Sequence, residues 1–417
     1  MEVVMKKIVS AVLLGTLVLS LTACGAVNSA NLMDGIEKTV KTPALEEQAD
    51  SSRLAVADFG VKLFQNTAND SENTLVSPLS VISALSMTAN GADGDTLREM
   101  EAVLGLDTDS LNEYMAAYLS ALPDTDKCRL SLANSIWFTD DPRFSVNQNF
   151  LETNANYYGA DIFKSPFDSS TVRDINTWVK DKTDGMIPKV IDKIPDAAVM
   201  YLVNALAFDA EWQSIYKDHQ VRNGKFTNDD GSCESVKLMY SSEGQYIEDE
   251  NAVGFIKYYN KSKYAFVAIL PNKGVSVSDY IDALSGEKLL SLIDGAKQTS
   301  VNAAIPKFSY DYDTELSDIL SEMGMPTAFD ADSADFSSLG TSSAGNIFIS
   351  RVIHKTHIEV GERGTRAGAV TVVAMEDGAA EFIEKPKEVI LDRPFIYAII
   401  DCEAGLPIFI GSVMDIG

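Results

Sequence analysis

The chain has 417 residues, of which 46% are hydrophobic, so it can bury one large core or two medium ones. Its formal net charge of −27 is spread along the sequence and disfavours nucleic acid, polyanionic sugars and anionic membrane surfaces as partners. The same charge is compatible with a cationic partner protein, although solubility alone would explain it.

The first 24 residues have the pattern of a targeting segment. Lys6 and Lys7 precede an apolar run over 8–21, which is too short for a confident membrane span but suits a signal-peptide core. The run ends in Leu-Thr-Ala-Cys-Gly, which resembles a bacterial lipoprotein signal with Cys24 as the lipidated first residue of the mature chain. A plain secretory peptide with a chance cysteine is the alternative.

These features give a domain plan for the first part of the chain. We expect a signal peptide over 1–23, and then lipidated Cys24 and a flexible tether over 24–52. The protein would be exported and anchored by lipid at the bacterial cell surface or envelope, or released from it. Membrane contact would occur only through the lipid at Cys24.

Three further cysteines, Cys128, Cys233 and Cys402, lie far apart in the sequence. An odd number at these spacings predicts neither a disulfide framework nor a zinc site. We therefore expect the hydrophobic core alone to hold the fold, with no metal and no cofactor.

Helices are predicted early in the chain. They cover 53–64, 78–90, 96–105 and 111–122. Ser77 followed by Pro78 is typical of an N-cap and a first helical residue. Thr96 and Glu99 have the spacing of a capping box, which predicts that the third helix begins at Thr96.

Strands and hairpins dominate the later part. Strands are predicted over 130–138, 161–164, 197–208, 301–308 and 349–360, and hairpins over 226–239, 255–270 and 395–413. Shorter helices are predicted over 147–158, 175–183, 278–284, 289–293 and 316–323. Asn204 interrupts the apolar run of 197–208, and a buried amide needs hydrogen-bond partners. Helices first and hairpins later indicate an α+β fold with largely antiparallel sheets.

Residues 361–381 combine features of a buried strand and of an exposed loop. One face of the predicted strand is uncharged and small at its start, with Thr365, Ala367, Ala369 and Thr371. Such a segment could slide between two strands of a sheet, because no charge would have to leave water. The polar run over 376–381 reads as a solvent-facing tip. An ordinary buried strand followed by a turn is the alternative.

Several motifs, all in one order, resemble the serpin family of protease inhibitors. They are Asn73–Met87, His354-Lys355, Glu362-Arg363-Gly364-Thr365, Ala367-Gly368-Ala369-Val370-Thr371 and Arg393-Pro394-Phe395. The resemblance covers about 53–417. It implies one serpin-like domain with three largely antiparallel β-sheets, a helical bundle and an exposed reactive loop at about 362–392.

The resemblance also implies a function. A serpin of the inhibitory type is cleaved in its reactive loop by a serine protease and traps the acyl-enzyme by inserting the cleaved loop into the central sheet. The chain would thus be a suicide substrate and not an enzyme, with no catalytic residue of its own.

Site residues follow from the resemblance position by position. A polar cluster beneath the central sheet comprises Ser77, Ser80, Asn204 and His354. Trp212 matches the tryptophan where the loop first enters the sheet. The hinge comprises Glu362, Gly364, Thr365, Ala367, Ala369 and Thr371. Counting about fourteen residues from Gly364 places the reactive bond at Gly378-Ala379, with Ala379 or Ala380 as alternative positions.

The small residues at 378–380 favour an elastase-like target with a shallow specificity pocket. Trypsin-like targets are disfavoured, because no Arg or Lys lies between Met375 and Ile383. Glu376 and Glu381 are compatible with a glutamate-specific enzyme. The hinge departs from the family pattern at Arg363 and Arg366, and at Gly368 and Val370, which replace alanines.

Other functions stay open at this point. A non-inhibitory member of the family would be cleaved without trapping, or would act as a binding or carrier module. A surface hydrolase is disfavoured, because the chain has three histidines and lacks Gly-x-Ser-x-Gly. We expect a monomer whose partner is a serine protease.

Overall fold

The computed structural model describes residues 28–41, 50–122, 124–125, 127–195, 198–343, 345–365 and 385–416. The expected signal peptide and Cys24 lie outside the described residues. So do the distal hinge residues Ala367, Ala369 and Thr371 and the reactive-bond positions Gly378, Ala379 and Ala380.

Nine α-helices occur in the described residues, and most lie in the first half of the chain. They are α1 (Asp50–Thr67), α2 (Pro78–Ala89), α3 (Gly94–Leu104), α4 (Thr108–Ser120), α5 (Gln148–Tyr157), α6 (Ser169–Lys182), α7 (Val277–Asp282), α8 (Gly286–Asp294) and α9 (Ser317–Met323). Short 3-10 turns cover Asp218–Gln220, Asn260–Ser262 and Pro326–Phe329. Within the same ranges, no helix combines the length and apolarity that a membrane crossing needs.

Eight strands form one sheet, called here the central sheet. They are β1 (Ala30–Asn31), β3 (Asp124–Thr125), β4 (Cys128–Thr139), β6 (Asp161–Ser165), β7 (Met200–Glu211), β13 (Phe308–Glu315), β15 (Arg351–Val360) and β16 (Gly364–Thr365). Their order is β1-β6-β4-β7-β16-β15-β13, with β3 paired to β4.

Nine strands form the second sheet. They are β2 (Thr74–Val76), β8 (Val221–Thr227), β9 (Cys233–Glu248), β10 (Ala252–Tyr258), β11 (Tyr264–Pro271), β12 (Lys297–Pro306), β17 (Lys387–Ile390), β18 (Phe395–Asp401) and β19 (Leu406–Val413). Their order is β17-β12-β9-β10-β11-β18-β19-β2, with β8 paired to β9. A third sheet pairs β5 (Phe144–Val146) with β14 (Gly340–Ser342).

The predicted fold class is confirmed. Parallel pairing occurs between β4 and β6, β7 and β15, and β12 and β17, whereas the other described pairs are antiparallel. The hairpins predicted around 226–239, 255–270 and 395–413 correspond to β8–β9, β10–β11 and β18–β19.

Helix α2 lies at the centre of the molecule. All of its residues are buried, because it contacts β4 and β7 of the central sheet, β19 of the second sheet, and helices α1, α3 and α4. A helix that is buried all round needs small side chains for close packing, and Ser80, Ser83 and Ser86 provide them.

Two local predictions need correction. Helix α3 begins at Gly94, where the Asp93 carboxylate accepts a hydrogen bond from the Gly94 N–H, so Thr96 is not its N-cap. Tertiary partners occupy the side chains of the expected capping box. The Thr96 hydroxyl accepts from the Asp335 N–H at 2.9 Å, and the Glu99 carboxylate accepts from Thr327.

The predicted strand over 301–308 ends earlier than expected, and a second strand follows it. Strand β12 stops at Pro306, and β13 runs antiparallel to β15 along the edge of the central sheet. In β13 the tyrosines Tyr310 and Tyr312 alternate with Asp311 and Asp313. Strand β13 was not predicted because polar residues, which are common on the exposed edge of a sheet, interrupt its apolar pattern.

Residues 28–41, part of the tether expected over 24–52, contact the domain. Ala30 pairs with Lys164, so β1 extends the edge of the central sheet next to β6. The Asn28 and Ser29 N–H groups donate to the Asp174 carboxylate at 3.1 and 2.8 Å. The unpaired edge of β6 offers backbone hydrogen bonds to a passing segment, which explains why residues 28–41 pack on the domain.

Candidate functional site

The central sheet parts between β7 and β15. The two strands pair directly only from Tyr201 with Arg351 to Asn204 with His354. Nearer the other end, β16 lies between them, with Gly364 opposite Glu211. Gly364 and Thr365 of the predicted hinge therefore already occupy the interior of the sheet.

Both residues of β16 fit a narrow position. A Cβ at Gly364 would lie 1.9 Å from the Ala210 carbonyl oxygen, so only glycine fits there without movement of the backbone. Thr365 is 3% exposed, and its hydroxyl shares a 2.5 Å hydrogen bond with the Tyr259 hydroxyl. Thr365, the first residue of the small, uncharged face expected for this segment, is thus packed inside the sheet.

A narrow cleft continues from Thr365 between the two parted strands. Leu206, Ala207 and Phe208 of β7 line one side, and His357, Ile358 and Glu359 of β15 line the other. Met186 and Ile187 also line the cleft. The cleft follows the line on which a strand extending β16 would lie.

Three successive carbonyl groups of the hinge are held by the segment that follows β7. The Trp212 ring N–H donates to the Gly361 oxygen at 2.9 Å, and the Trp212 backbone N–H donates to the Arg363 oxygen at 2.7 Å. The Tyr216 N–H donates to the Glu362 oxygen at 2.9 Å. Trp212, the residue expected where the loop enters, therefore lies against the hinge.

Two ion pairs flank this part of the hinge. Glu362 pairs with Lys307 at 2.9 Å, and Arg363 pairs with Glu211 at 2.7 Å. Burial would raise the pKa of Glu211, but hydrogen bonds from Arg363 and Lys127 outweigh it and lower the pKa. Arg363, which departs from the family pattern, thus has a partner at the end of β7.

The four residues of the expected polar cluster lie together beneath the point where β7 and β15 part. The Ser77 N–H donates to His354 Nε2 at 3.1 Å, and the Ser80 hydroxyl donates to the Asn204 side-chain oxygen. The Asn204 amide donates to the Ser80 carbonyl at 2.6 Å and to the side-chain oxygen of Asn134. Ser77 occupies the N-cap position of α2, but its side chain makes no capping hydrogen bond.

His354 is held in its neutral form. Its side chain is buried, and burial lowers the pKa of the imidazole to about 4. Nε2 accepts from a backbone N–H, so the proton of the neutral ring lies on Nδ1. A protonated ring could not accept that hydrogen bond, so acid would disturb the cluster.

The sequence analysis missed several members of the site. Asn134 of β4 faces Asn204 in register, and its amide donates to the Ser83 hydroxyl at 2.5 Å. The available signal was an amide inside a predicted strand, as at Asn204. Tyr259, Tyr216 and Lys257 also lie at the site. Lys257 interrupts an apolar strand, as Asn204 does, whereas nothing in the local sequence marks the two tyrosines.

Comparisons with known proteins give matches over most of the chain. A family model described as "Serpin (serine protease inhibitor)" matches residues 54–416. The structure of the thermophilic serpin tengpin in its native state is 49% identical, with a TM-score of 0.88, over 93% of this chain and 99% of that one. In its latent state the TM-score is 0.79 at 45% identity, over 91% of this chain and 100% of that one. Intracellular coagulation inhibitor 2 of Tachypleus tridentatus is 28% identical over 89% of this chain and 93% of its own length.

Proposed function

Because this chain belongs to the serpin family, whose members are mostly serine protease inhibitors, we propose that it inhibits a serine protease as a suicide substrate. The observation that carries the proposal is the position of the hinge residues in the central sheet. Gly364 and Thr365 already lie between β7 and β15, and a cleft continues ahead of them. This is the geometry that a cleaved loop needs to enter the central sheet.

The proposed mechanism uses the catalytic groups of the protease alone. The protease serine attacks the carbonyl carbon of Gly378, the Gly378-Ala379 bond breaks, and Ala379 leaves with a new amino group. The protease is then joined to Gly378 by an ester. If the chain beyond Thr365 enters the sheet before water hydrolyses the ester, the protease is carried away and trapped.

The dimensions suit this mechanism. At about 3.3 Å per residue, a strand from Thr365 to Gly378 spans roughly 45 Å. A compact domain of this length is roughly 50 Å across. Full insertion would therefore move the attached protease from one pole of the molecule to the other.

The target proposed here is elastase-like. Small residues at Gly378, Ala379 and Ala380 suit a shallow specificity pocket. The net charge of −27 would assist encounter with a cationic protease. We also propose that the protein is a monomer, exported and anchored through lipid on Cys24.

The first experiment is incubation with a neutrophil-type elastase, followed by denaturing electrophoresis and mass spectrometry of the released peptide. We expect a covalent band and a cut within 376–381. A clipped chain without a covalent band would contradict trapping and support the non-inhibitory alternative. Ester turnover without any protease would instead indicate a hydrolase.

A matched pair of variants tests the assigned bond. Gly378→Arg should form a covalent complex with trypsin. Trypsin cleaves after arginine, so it would attack the bond after residue 378, which is the bond assigned as reactive. Ala380→Arg moves the cut two residues onward and serves as the control. Equal trapping of trypsin by both variants would overturn the assignment of Gly378.

A further inference from the structure

A buried lysine lies behind the residues that hold the hinge. The Lys257 side chain is 2% exposed, and no other lysine or arginine in the described ranges is buried to this extent. Its ammonium group forms a 2.8 Å ion pair with Glu243, whose side chain is 13% exposed. Placing a charge there is costly, so a purely structural strand would gain from an apolar residue instead.

The ammonium group of Lys257 also faces two aromatic rings. Its Nζ lies 5.5 Å from the centroid of the Trp212 ring and 4.5 Å from that of Tyr216. Both distances lie within the range of cation–π attraction, which is stronger when the cation is removed from water. The desolvation penalty on the ammonium is outweighed by Tyr216 and Glu243, and the pKa of Lys257 is raised.

These two aromatic residues supply every hydrogen bond described above to the carbonyls of 361–363. Trp212 donates from its ring and its backbone, and Tyr216 donates from its backbone. The Trp212 ring also stacks on Tyr259 at 4.3 Å, and the Tyr259 hydroxyl bonds to Thr365. Lys257 is therefore connected to the hinge by two routes, although it touches no hinge residue in the contacts described.

We propose that Lys257 is a positioning residue for loop insertion: its ammonium group, fixed by Glu243, orients Trp212 and Tyr216 so that β16 is held in register between β7 and β15. This inference rests on the proposed function for its consequence in trapping. Its structural part concerns the intact protein and can be measured without a protease.

The test compares three variants of the full chain. Lys257→Met removes the charge and keeps most of the side-chain volume. The double variant Lys257→Met/Glu243→Gln also removes the unpaired carboxylate, and should recover stability that the single variant loses. Lys288→Met is the control, because Lys288 on α8 makes the same two kinds of contact, 4.5 Å from the Tyr280 ring and 3.0 Å from Asp249, but its side chain is 29% exposed.

Hydrogen exchange of residues 361–365 in the intact protein is the first readout. We expect exchange to rise about tenfold in Lys257→Met, since two desolvated cation–π contacts are lost. It should stay raised in the double variant and remain unchanged in Lys288→Met. Unchanged exchange in Lys257→Met, or recovery of protection in the double variant, would overturn the proposal.

The fraction of cleaved molecules that trap elastase is the second readout, measured well below the unfolding temperature. We expect it to fall several-fold in both Lys257 variants while the rate of cleavage stays the same. If Lys257 contributed only to stability, the double variant would recover the trapping that the single variant loses. If the wild-type chain traps no protease, the proposed function fails, but the exchange comparison still decides the role of Lys257.

Discussion

Thr365→Arg is the sharpest test of whether the hinge must lie inside the sheet. Thr365 is 3% exposed, and its exchange for arginine leaves the buried Tyr259 hydroxyl without its partner, which costs about 1–3 kcal/mol. It also moves a guanidinium from water into a narrow cleft, lined by Leu206 and Phe208 as well as by His357 and Glu359, and this desolvation costs up to several kcal/mol. A combined cost of about 4 kcal/mol would lower the population of the inserted hinge roughly a thousandfold.

Trapping should suffer because insertion competes with hydrolysis of the ester. If about half of the cost is felt in the transition state for insertion, insertion slows roughly 30-fold. We expect Thr365→Arg to be cleaved by elastase at the wild-type rate but to give almost no covalent band on denaturing electrophoresis.

Thr365→Ser is the control for this experiment, because it keeps the hydroxyl that bonds to Tyr259. It should trap nearly as well as the wild-type chain. Equal covalent yields from Thr365→Arg and the wild type, at equal extents of cleavage, would refute the argument that this residue has to stay in the sheet.

Three further predictions concern other parts of the site and the domain. Burial lowers the pKa of His354 from 6.5 to about 4, so the free energy of unfolding should have its full value above pH 6.5 and should fall by up to about 3 kcal/mol as the pH drops to 4. Urea unfolding at pH 7 and 4.5 measures this loss, and an equal loss in His354→Gln would contradict the prediction. Arg363→Glu places a carboxylate against Glu211 and should lower the local stability of the hinge by about 1 kcal/mol more than Arg363→Gln does. Hydrogen exchange of the hinge should therefore be faster in Arg363→Glu, and identical exchange in the two variants would exclude a charge effect. Asp174→Ala removes the side chain that accepts hydrogen bonds from the first described residues and should speed limited proteolysis there about tenfold, whereas Asp181→Ala, an exposed change on the same helix, should not.

The sequence predicted the elements whose signals are local. Helix α2 begins at Pro78, as Ser77-Pro78 predicted, because proline has the backbone angle of a first helical residue, although the Ser77 side chain makes no capping bond. Hairpin β8–β9 lies where it was predicted, and its strands are joined at Asn228-Asp229-Asp230-Gly231, which are typical turn residues. The capping box expected at Thr96 does not form, because both of its side chains accept hydrogen bonds from distant residues, Thr96 from Asp335 and Glu99 from Thr327. Propensity at a helix end is weak enough for such tertiary contacts to override it.

The site was predictable only in part, for a similar reason. His354 and Asn204 could be named because a polar residue inside an apolar strand is unusual, and the family resemblance gave them a place. Lys257 also interrupts an otherwise apolar strand, but it lies next to the end of that strand, where a lysine is normally exposed, so it was not singled out. Its burial depends on Glu243, Trp212 and Tyr216, which come from neighbouring strands and a loop.

The pattern of hydrogen bonds bears on how the central sheet would open during the proposed insertion. Direct pairing of β7 with β15 is limited to four residues on each strand. The side chains at the end of that pairing do not bond across it, since Asn204 bonds to Ser80 and Asn134 whereas His354 accepts from Ser77. Each strand is thus tied to α2 on its own side of the parting. Insertion as proposed here would exchange four direct register pairs for pairs with the incoming strand, while both ties to α2 could persist.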